Sequence, residues 1–328
     1  MDDLGELNSD APRQPLLVLV GPTGTGKTAV GIELCRLLNG EIVSADSMQV
    51  YRHCDICTAK LSAHELLAAP HHLIDIRDPW ENYSAAQWAA DAAAAIAAIA
   101  RRGKRPLVVG GTGFYIRALL EPASLAIAPP NLDLRAELEA EAAREGKEAL
   151  HARLAALDAA AAGRLHPNDV RRVIRALEVA MAPRDSTALQ PEPMPGIPAY
   201  EAHVFGLDLP RPELYARLDQ RVDAMVQAGA VDEVRRLLAM GVDPAASVLQ
   251  GVGYRQILPA LAQPDTLSIA IELWKRETRR YAKRQLTWFR HQLPVQWVDA
   301  GGEANATAAI IAAQWRGRSD LIVDALAE

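Results

Sequence analysis

Short apolar runs alternate with longer amphipathic segments over the first 110 residues of the chain. The apolar runs predict strands at residues 16–20, 41–45, 72–76 and 107–109. The amphipathic segments predict helices at residues 27–38 and 84–102. Strands that alternate with helices indicate βαβ units, and therefore a parallel sheet with helices on both faces. A ligand of such a sheet lies at the carboxyl ends of its strands.

From about residue 131 the pattern becomes charged and rich in Ala, Leu and Glu, which predicts helices over residues 131–162 and 170–180. Residues 183–198 hold five prolines and are predicted to be a loop or linker. Strands are predicted again at residues 203–209 and 294–298. The predicted organisation is a disordered tail at residues 1–14, an α/β core at residues 15–124 plus 196–328, and a helical insertion at residues 125–195.

Composition narrows the class of protein only modestly. Half of the 328 residues are hydrophobic, which is enough for a sizeable core, and the net charge of −6 argues against a uniformly basic surface. Three cysteines are too few for a disulfide framework, and Cys54 and Cys57 lack the further ligands of a zinc site. No signal peptide and no apolar stretch of about 20 residues is evident. We therefore expect a cytoplasmic monomer that does not bind membranes.

The loop between the first predicted strand and helix has the pattern G-x-x-x-x-G-K-[ST] of a phosphate-binding P-loop. Its residues are Gly21, Pro22, Thr23, Gly24, Thr25, Gly26, Lys27 and Thr28. Glycines let backbone N–H groups face an anion, and the helix N-terminus adds positive partial charge. Lys27 is expected to reach the terminal phosphate and Thr28 to bind Mg²⁺. Together with the order of predicted strands and helices, the P-loop predicts an α/β fold. Its core is a P-loop NTPase-like parallel sheet flanked by helices, and it carries an inserted all-helical domain.

Asp46 follows the second predicted strand and should lie beside the P-loop. It could bind Mg²⁺ or cap the next turn, or it could be a general base that takes a proton from an incoming nucleophile. In P-loop ATPases a later apolar strand often ends in an aspartate that holds Mg²⁺. Here the strand at residues 107–109 runs into Gly110, Gly111 and Thr112 instead, which disfavours an ATPase.

Two basic segments stand out in this acidic protein. Residues 275–285 carry six cations in eleven positions with aromatic residues interleaved, and Arg171, Arg172 and Arg175 form a smaller cluster on the predicted insertion. Cations with stacking side chains are typical of RNA recognition, although a solvated helix face is an equally simple explanation. Arg217 and Arg221 share one helical face, and either could hold a diphosphate or simply pair with nearby aspartates.

With these motifs in order, the chain resembles the tRNA dimethylallyltransferases, also called tRNA isopentenyltransferases, of bacterial type. The resemblance covers nearly the whole chain. The matching segments are GPTGTGKT at 21–28, SADSMQVY at 44–51, TAK at 58–60, DIRDP at 75–79, YSA at 83–85, GGTGFY at 110–115, LHPND at 165–169, GVGYRQ at 251–256 and AKRQLTW at 282–288. The cysteines at 54 and 57 stand where we expect small or apolar residues, and no zinc finger of the kind found in eukaryotic relatives follows.

The resemblance implies transfer of a dimethylallyl group from dimethylallyl diphosphate to N6 of adenosine 37, beside the anticodon of a tRNA. The P-loop would then hold the prenyl donor rather than ATP, with Mg²⁺ on Thr28. Asp46 would be the base, Lys27 and Arg221 would stabilise the departing diphosphate, and Thr23 and Thr112 would line the channel where adenine meets donor. Because the target adenosine is stacked in the anticodon loop, it would have to be flipped out.

The resemblance also implies contacts with the tRNA anticodon stem-loop from four segments besides Thr112. These are Asp46, Ser47, Met48 and Gln49; Arg171, Arg172, Val173, Ile174 and Arg175; Gly251, Val252, Gly253, Tyr254, Arg255 and Gln256; and Lys283, Arg284, Gln285, Leu286, Thr287, Trp288, Phe289 and Arg290.

The alternative functions are those of a small-molecule kinase, a prenyltransferase of free adenine nucleotides and a non-catalytic RNA-binding protein. A free-nucleotide enzyme would not need residues 125–195, whereas a non-catalytic protein would not need Lys27, Thr28 and Asp46 together.

Overall fold

Six parallel strands form one sheet in the computed structural model of the chain, which describes residues 14–122, 131–182 and 200–325. The strands are β1 (Gln14–Val20), β2 (Gly40–Ala45), β3 (His71–His72), β4 (Arg105–Gly110), β5 (Tyr200–Asp208) and β6 (Val295–Asp299). Their order across the sheet is β3-β2-β4-β1-β5-β6. In the central strand β1, the run from Leu16 to Val20 is buried throughout, as expected for a parallel strand covered on both faces. The predicted P-loop-like parallel sheet is thus confirmed.

The third predicted strand, at residues 72–76, is wrong beyond its first residue. β3 ends at His72, because Leu73 and Asp75 have backbone φ angles of 65° and 55° in the left-handed region, which a strand cannot contain. The chain turns there and returns as a single parallel bridge between Tyr51 and Arg77. Likewise Gln14, assigned to the tail from the sequence, is the first residue of β1. Residues 1–13 lie outside the described part of the chain.

The chain divides into two compact units, Met1–Leu120 with Gly196–Glu328, and Glu121–Pro195. The helices of the first unit that precede the second are α1 (Lys27–Leu38), α2 (Ala63–Ala68), α3 (Ala85–Arg101) and α4 (Gly113–Leu120). α3 begins with a capping box in which Ser84 and Gln87 hydrogen-bond to each other's backbone N–H groups. Trp88 of α3 stacks on Tyr115 of α4 at 4.8 Å between ring centres and donates a hydrogen bond to the Ser44 carbonyl. These contacts fix α3 and α4 near the carboxyl end of β2.

The second unit is helical over residues 131–182, the part of it that carries described elements. Its helices are α5 (Leu132–Glu145), α6 (Lys147–Leu157), α7 (Ala159–Arg164) and α8 (Val170–Ala180). The continuous helical stretch predicted at residues 131–162 is interrupted at Gly146, which has a φ of 93°, and at Asp158, whose side chain caps α7. Leu138, Leu150 and Leu154 form its core with buried residues of α8. The proline-rich segment predicted as a linker, residues 183–198, lies outside the described residues.

The remaining helices belong to the first unit. They are α9 (Arg211–Gln227), α10 (Ala230–Ala239), α11 (Tyr254–Ala262), α12 (Leu267–Gln292) and α13 (Ala304–Ala325), with 3₁₀ turns at Ser247–Gln250 and Pro264–Thr266. α1 and α13 pack with the sheet in one apolar core, while α9, α10, α11 and α12 enclose a second core with residues 50–57. No helix in the described ranges is both long enough and apolar enough to cross a membrane.

Candidate active site

The P-loop, residues 21–28, connects the carboxyl end of β1 to the start of α1. Gly24 has a φ of 87°, and a Cβ there would lie 2.7 Å from the Leu218 side chain of α9, so only glycine fits. Within the loop, Thr25 Oγ1 and Lys27 Nζ both donate to the Pro22 carbonyl, at 2.9 and 2.8 Å. Among the described residues no side chain caps α1, and its first turn carries no acidic residue. The N–H groups at this helix end are therefore free to bind an anion.

Lys27 and Arg221 bring two cations to the P-loop. Burial lowers the pKa of Lys27 to about 8, against the favourable charge of Asp46, and the neighbouring charge of Arg221 lowers it further. Burial also lowers the pKa of the Arg221 guanidinium, again opposed by Asp46. Asp46 and Glu65 both offset the charge of Arg221, and because both cations are partly desolvated, a bound diphosphate would stabilise their charged forms further.

Asp46, at the carboxyl end of β2, uses only one of its carboxylate oxygens to hold the loop that follows. Oδ1 accepts hydrogen bonds from the N–H groups of Met48 and Gln49, at 2.8 and 3.3 Å. Within the described residues, Oδ2 accepts no hydrogen bond. The turn-capping hypothesis thus agrees with the contacts of Oδ1, whereas the general-base hypothesis, for which Oδ2 is available, stays a prediction.

The loop after β4 lies against Asp46, as its position at the same sheet edge predicts. Thr112 donates its N–H to the Ala45 carbonyl at 3.0 Å, and its Oγ1 accepts the Ser47 N–H at 3.0 Å. The two hydroxyls of Thr112 and Ser47 are 3.3 Å apart. The expected channel residue Thr112 and the expected base Asp46 are thus joined through Ser47.

α9 presents the two candidate arginines differently. Arg217 is paired with Glu213 on the protein surface at 2.7 Å, whereas Arg221, one turn later, lies where it interacts with both Asp46 and Lys27. Of the two arginines, Arg221 is therefore the one that lies beside Asp46 and Lys27, and its contact with a diphosphate stays a prediction. Thr28, in the first turn of α1, is half-buried, and no group in the described residues hydrogen-bonds to its hydroxyl.

The residues expected to contact tRNA differ in exposure, and several, such as Arg175, Gln256 and Trp288, are half-buried. Side chains that are exposed and carry charge are those of Arg171, Arg172, Arg255, Lys283, Arg284 and Arg290. Side chains that are buried are those of Val173, Ile174, Tyr254, Gln285 and Phe289. The buried ones pack inside their own units and offer no side chain to a partner. On α12 the cations Lys283, Arg284 and Arg290 therefore face outward and the ring of Phe289 faces inward, while contact of the cations with RNA stays a prediction.

Glu233 of α10 is a buried residue that sequence reasoning missed. Its carboxylate accepts hydrogen bonds from the backbone N–H groups of Asp55, Ile56 and Cys57, at 2.8, 2.6 and 3.0 Å, and from the Tyr254 hydroxyl at 2.8 Å. A lone glutamate in an amphipathic helix gives no sequence signal for this role. The carboxylate anchors the segment after Gln49 to α10 and α11.

The C-x-x-C sequence lies in this anchored segment and has the properties of packing residues. Cys54 and Cys57 are both buried, and burial raises the pKa of the Cys54 thiol to about 12. Burial, together with the charge of Glu233, also raises the pKa of Cys57. Thiols of this kind are inert. The described residues contain no group of three or more His, Cys, Asp or Glu side chains arranged to hold a metal ion.

The family model and the curated relatives that match this chain agree on one family. The family model described as IPP transferase matches residues 49–292. A tRNA dimethylallyltransferase of Thermomicrobium roseum is 49% identical over 88% of this chain and 87% of its own length. One from Exiguobacterium sibiricum is 47% identical over 88% and 91%.

Solved structures agree with the sequence comparison. The full-length tRNA isopentenylpyrophosphate transferase of Bacillus halodurans is similar with a TM-score of 0.69 and 40% identity, over 94% of this chain and 99% of that one. A eukaryotic dimethylallyltransferase, described as acting on tRNA, is similar with a TM-score of 0.70 and 30% identity, over 88% of this chain and 74% of that one.

Proposed function

This chain belongs to the tRNA dimethylallyltransferase family and is a prenyltransferase, and on that premise we propose how its residues divide the reaction. The P-loop binds the diphosphate of dimethylallyl diphosphate, and Asp46 accepts the proton from N6 of adenosine 37 in the tRNA. The observation that carries this proposal is the convergence of Lys27, Arg221 and the uncapped start of α1 beside the unpaired Oδ2 of Asp46.

The chemistry is a substitution at the first carbon of the dimethylallyl group. A bond forms between that carbon and adenine N6, the bond from carbon to the diphosphate oxygen breaks, and the N6 proton passes to Asp46. Lys27, Arg221 and the P-loop N–H groups stabilise the negative charge that develops on the diphosphate, the role an oxyanion hole has in acyl transfer. Thr23 and Thr112 line the space between donor and adenine.

Mg²⁺ fits the donor end of this site. Thr28 offers a hydroxyl that is not engaged by any described residue, and a magnesium ion typically keeps several waters while it is held by few protein groups and by substrate phosphates. The lack of a carboxylate cluster in the described residues suits this arrangement better than an all-protein metal site. When bound, the ion would help to neutralise the charge of the diphosphate.

The exposed cations supply the contacts with tRNA in this proposal. Lys283, Arg284 and Arg290 on α12, and Arg255 on α11, are exposed in the first unit, while Arg171 and Arg172 are exposed in the second. Such side chains bind the phosphate backbone without reading sequence. Each unit by itself therefore offers exposed cations to a nucleic acid.

Donor affinity should depend on pH through Lys27, and this dependence tests the proposed donor site. Because the pKa of Lys27 is lowered to about 8, the ammonium that binds the diphosphate is present below pH 8 and lost above it. The dissociation constant for a non-reactive dimethylallyl diphosphate analogue should be flat from pH 6.5 to 7.5 and then rise about tenfold per pH unit. Calorimetric titration in the presence of Mg²⁺ measures it.

The Lys27→Met and Lys27→Arg variants are the controls for this titration. Lys27→Met should bind weakly at every pH, because it has no charge to lose. Lys27→Arg should lose the dependence above pH 8, because its guanidinium stays protonated. A wild-type affinity that does not change up to pH 9.5 would contradict the lowered pKa of Lys27, and a Lys27→Met affinity equal to that of the wild type would place the diphosphate away from Lys27.

Arg221→Ala should lower kcat by about 10²–10³-fold, because it removes a donor aimed at the departing diphosphate. Arg217→Ala is the matched control on the same helix face. It removes only an exposed pair with Glu213, and such pairs are worth about 0.3–0.5 kcal/mol to stability, so its kcat should equal that of the wild type. Steady-state kinetics on both variants decide the assignment, and equal losses in the two would refute it.

A further inference from the structure

Gln285 lies on the buried face of α12 with both ends of its amide engaged. Its Oε1 accepts the Thr23 N–H at 2.9 Å, and its Nε2 donates to the Gly111 carbonyl at 2.9 Å. The side chain is 8% exposed. The two partners lie 262 and 174 positions away along the chain, so this residue joins three distant segments.

The contact with Gly111 is unusually close. A Cβ at position 111 would lie 2.4 Å from Gln285 Nε2, inside any allowed separation, and the nearest backbone atom would be 3.5 Å away. The absence of a side chain at Gly111 lets the amide reach the backbone of the loop after β4 directly. Trp288, one turn further along α12, packs as closely on Gly113, where a Cβ would lie 2.3 Å from its ring. Gln285 and Trp288 therefore set the spacing between α12 and this loop together, and Gln285 supplies the hydrogen bond.

The two loops that Gln285 bridges belong to opposite ends of the proposed reaction. Thr23 is part of the P-loop, which holds the donor. Gly111 precedes Thr112, which is hydrogen-bonded to Ser47, the neighbour of the proposed base Asp46. A shift of either loop changes the distance between the donor carbon and adenine N6. Reacting groups misplaced by about 1 Å can lose about 10²-fold in rate.

We propose that Gln285 is a positioning residue that sets the separation of donor and acceptor by holding the P-loop and the Gly111 loop on α12. The inference rests on the proposed function, because it assumes that the donor lies on the P-loop and the adenine beside Asp46. It replaces the tRNA contact that the resemblance implies for Gln285, since both polar ends of the amide are already paired within the protein. The neighbouring exposed residues, Lys283 and Arg284, remain available to tRNA.

Two variants separate the two hydrogen bonds. Gln285→Met keeps the length of the side chain and loses both bonds, whereas Gln285→Glu keeps an acceptor for the Thr23 N–H and loses the donor to Gly111. Gln292→Met is the matched control, because Gln292 lies at the exposed end of the same helix and, within the described part of the chain, accepts a surface hydrogen bond only from Arg117. Each protein is assayed for kcat, for KM of each substrate, and for hydrogen exchange of the peptide that contains Thr23.

Gln285→Met should lower kcat about 10²-fold with little change in either KM, and should speed exchange at the P-loop. Gln285→Glu should also lower kcat but keep the P-loop protected from exchange. Gln292→Met should match the wild type in kcat, in both KM values and in hydrogen exchange.

The proposal would be overturned if both Gln285 variants had the kcat of Gln292→Met. It would also be overturned by a raised KM for tRNA with unchanged kcat, which would make Gln285 a tRNA contact. If Gln285→Met does not fold, Gln285→Glu decides by the same criteria. If the wild type itself transferred no prenyl group, the proposed function would fail instead.

Discussion

Replacing Asp46 with asparagine should reduce prenyl transfer by about 10²–10⁴-fold, the usual contribution of a general base, while tRNA binding stays near wild type. Asparagine keeps an oxygen that can accept the Met48 and Gln49 N–H groups, so the loop after β2 should retain its shape. It replaces the unpaired Oδ2 with an NH₂ group that cannot take a proton. The measurements are kcat at saturating substrates and a filter-binding titration with tRNA.

Asp46→Ala is the companion variant that separates the two roles of this side chain. Alanine removes the base and the turn together, so it should be as inactive as asparagine and also weaken tRNA binding if Ser47, Met48 and Gln49 move. Should Asp46→Asn turn over like the wild type while Asp46→Ala does not, Asp46 would be a structural cap and another group would have to be the base.

Replacing Glu233 with alanine should lower the free energy of unfolding by at least about 3 kcal/mol, more than any other substitution proposed here. The substitution removes the acceptor of four hydrogen bonds, and each buried donor left unpaired costs about 1–3 kcal/mol. Urea unfolding followed by circular dichroism measures the loss. Because Gln49 donates to the carbonyls of Thr58 and Ala59 at 3.4 and 3.2 Å, loosening this segment should also lower the affinity for tRNA.

The matched control is Glu213→Ala, which removes an exposed glutamate paired only with Arg217. A surface pair of this type contributes about 0.3–0.5 kcal/mol, so the control should unfold at nearly the wild-type urea concentration. A Glu233→Ala protein as stable as this control would show that water satisfies the freed N–H groups and that Glu233 does not anchor the segment.

The sheet and the P-loop could be predicted because their signals are local. Strands β1, β2 and β4 each contain a short apolar run, the P-loop is a contiguous pattern, and α8 begins and ends where the helical pattern at residues 170–180 does. The third strand could not be predicted in the same way. Leu73 and Asp75 adopt left-handed backbone conformations that no propensity assigns to them, and tertiary contacts such as the bridge from Tyr51 to Arg77 fix this turn.

The sequence predicts which of these residues lie together at the edge of the sheet, but not the hydrogen bonds that hold them there. Asp46, Lys27 and Thr112 meet because parallel strands end at one edge of the sheet, which the order of elements already implies. The hydrogen bonds of Gln285 to Thr23 and of Glu233 to Ile56 span 262 and 177 positions, and nothing local marks either residue. Arg217 and Arg221 are equivalent on a helical face, so only the packed position of α9 separates them.

Incubation with radiolabelled dimethylallyl diphosphate, unmodified tRNA and Mg²⁺ tests most directly whether the P-loop serves prenyl transfer, with ATP and tRNA incubated in parallel and EDTA replacing Mg²⁺ in a third arm. Label should enter the tRNA as an N6-prenylated adenosine, diphosphate should be released in equal amount, the EDTA arm should be slower, and ATP should remain intact. Consumption of ATP with no label in the tRNA would contradict the account and assign the P-loop to a nucleotide instead.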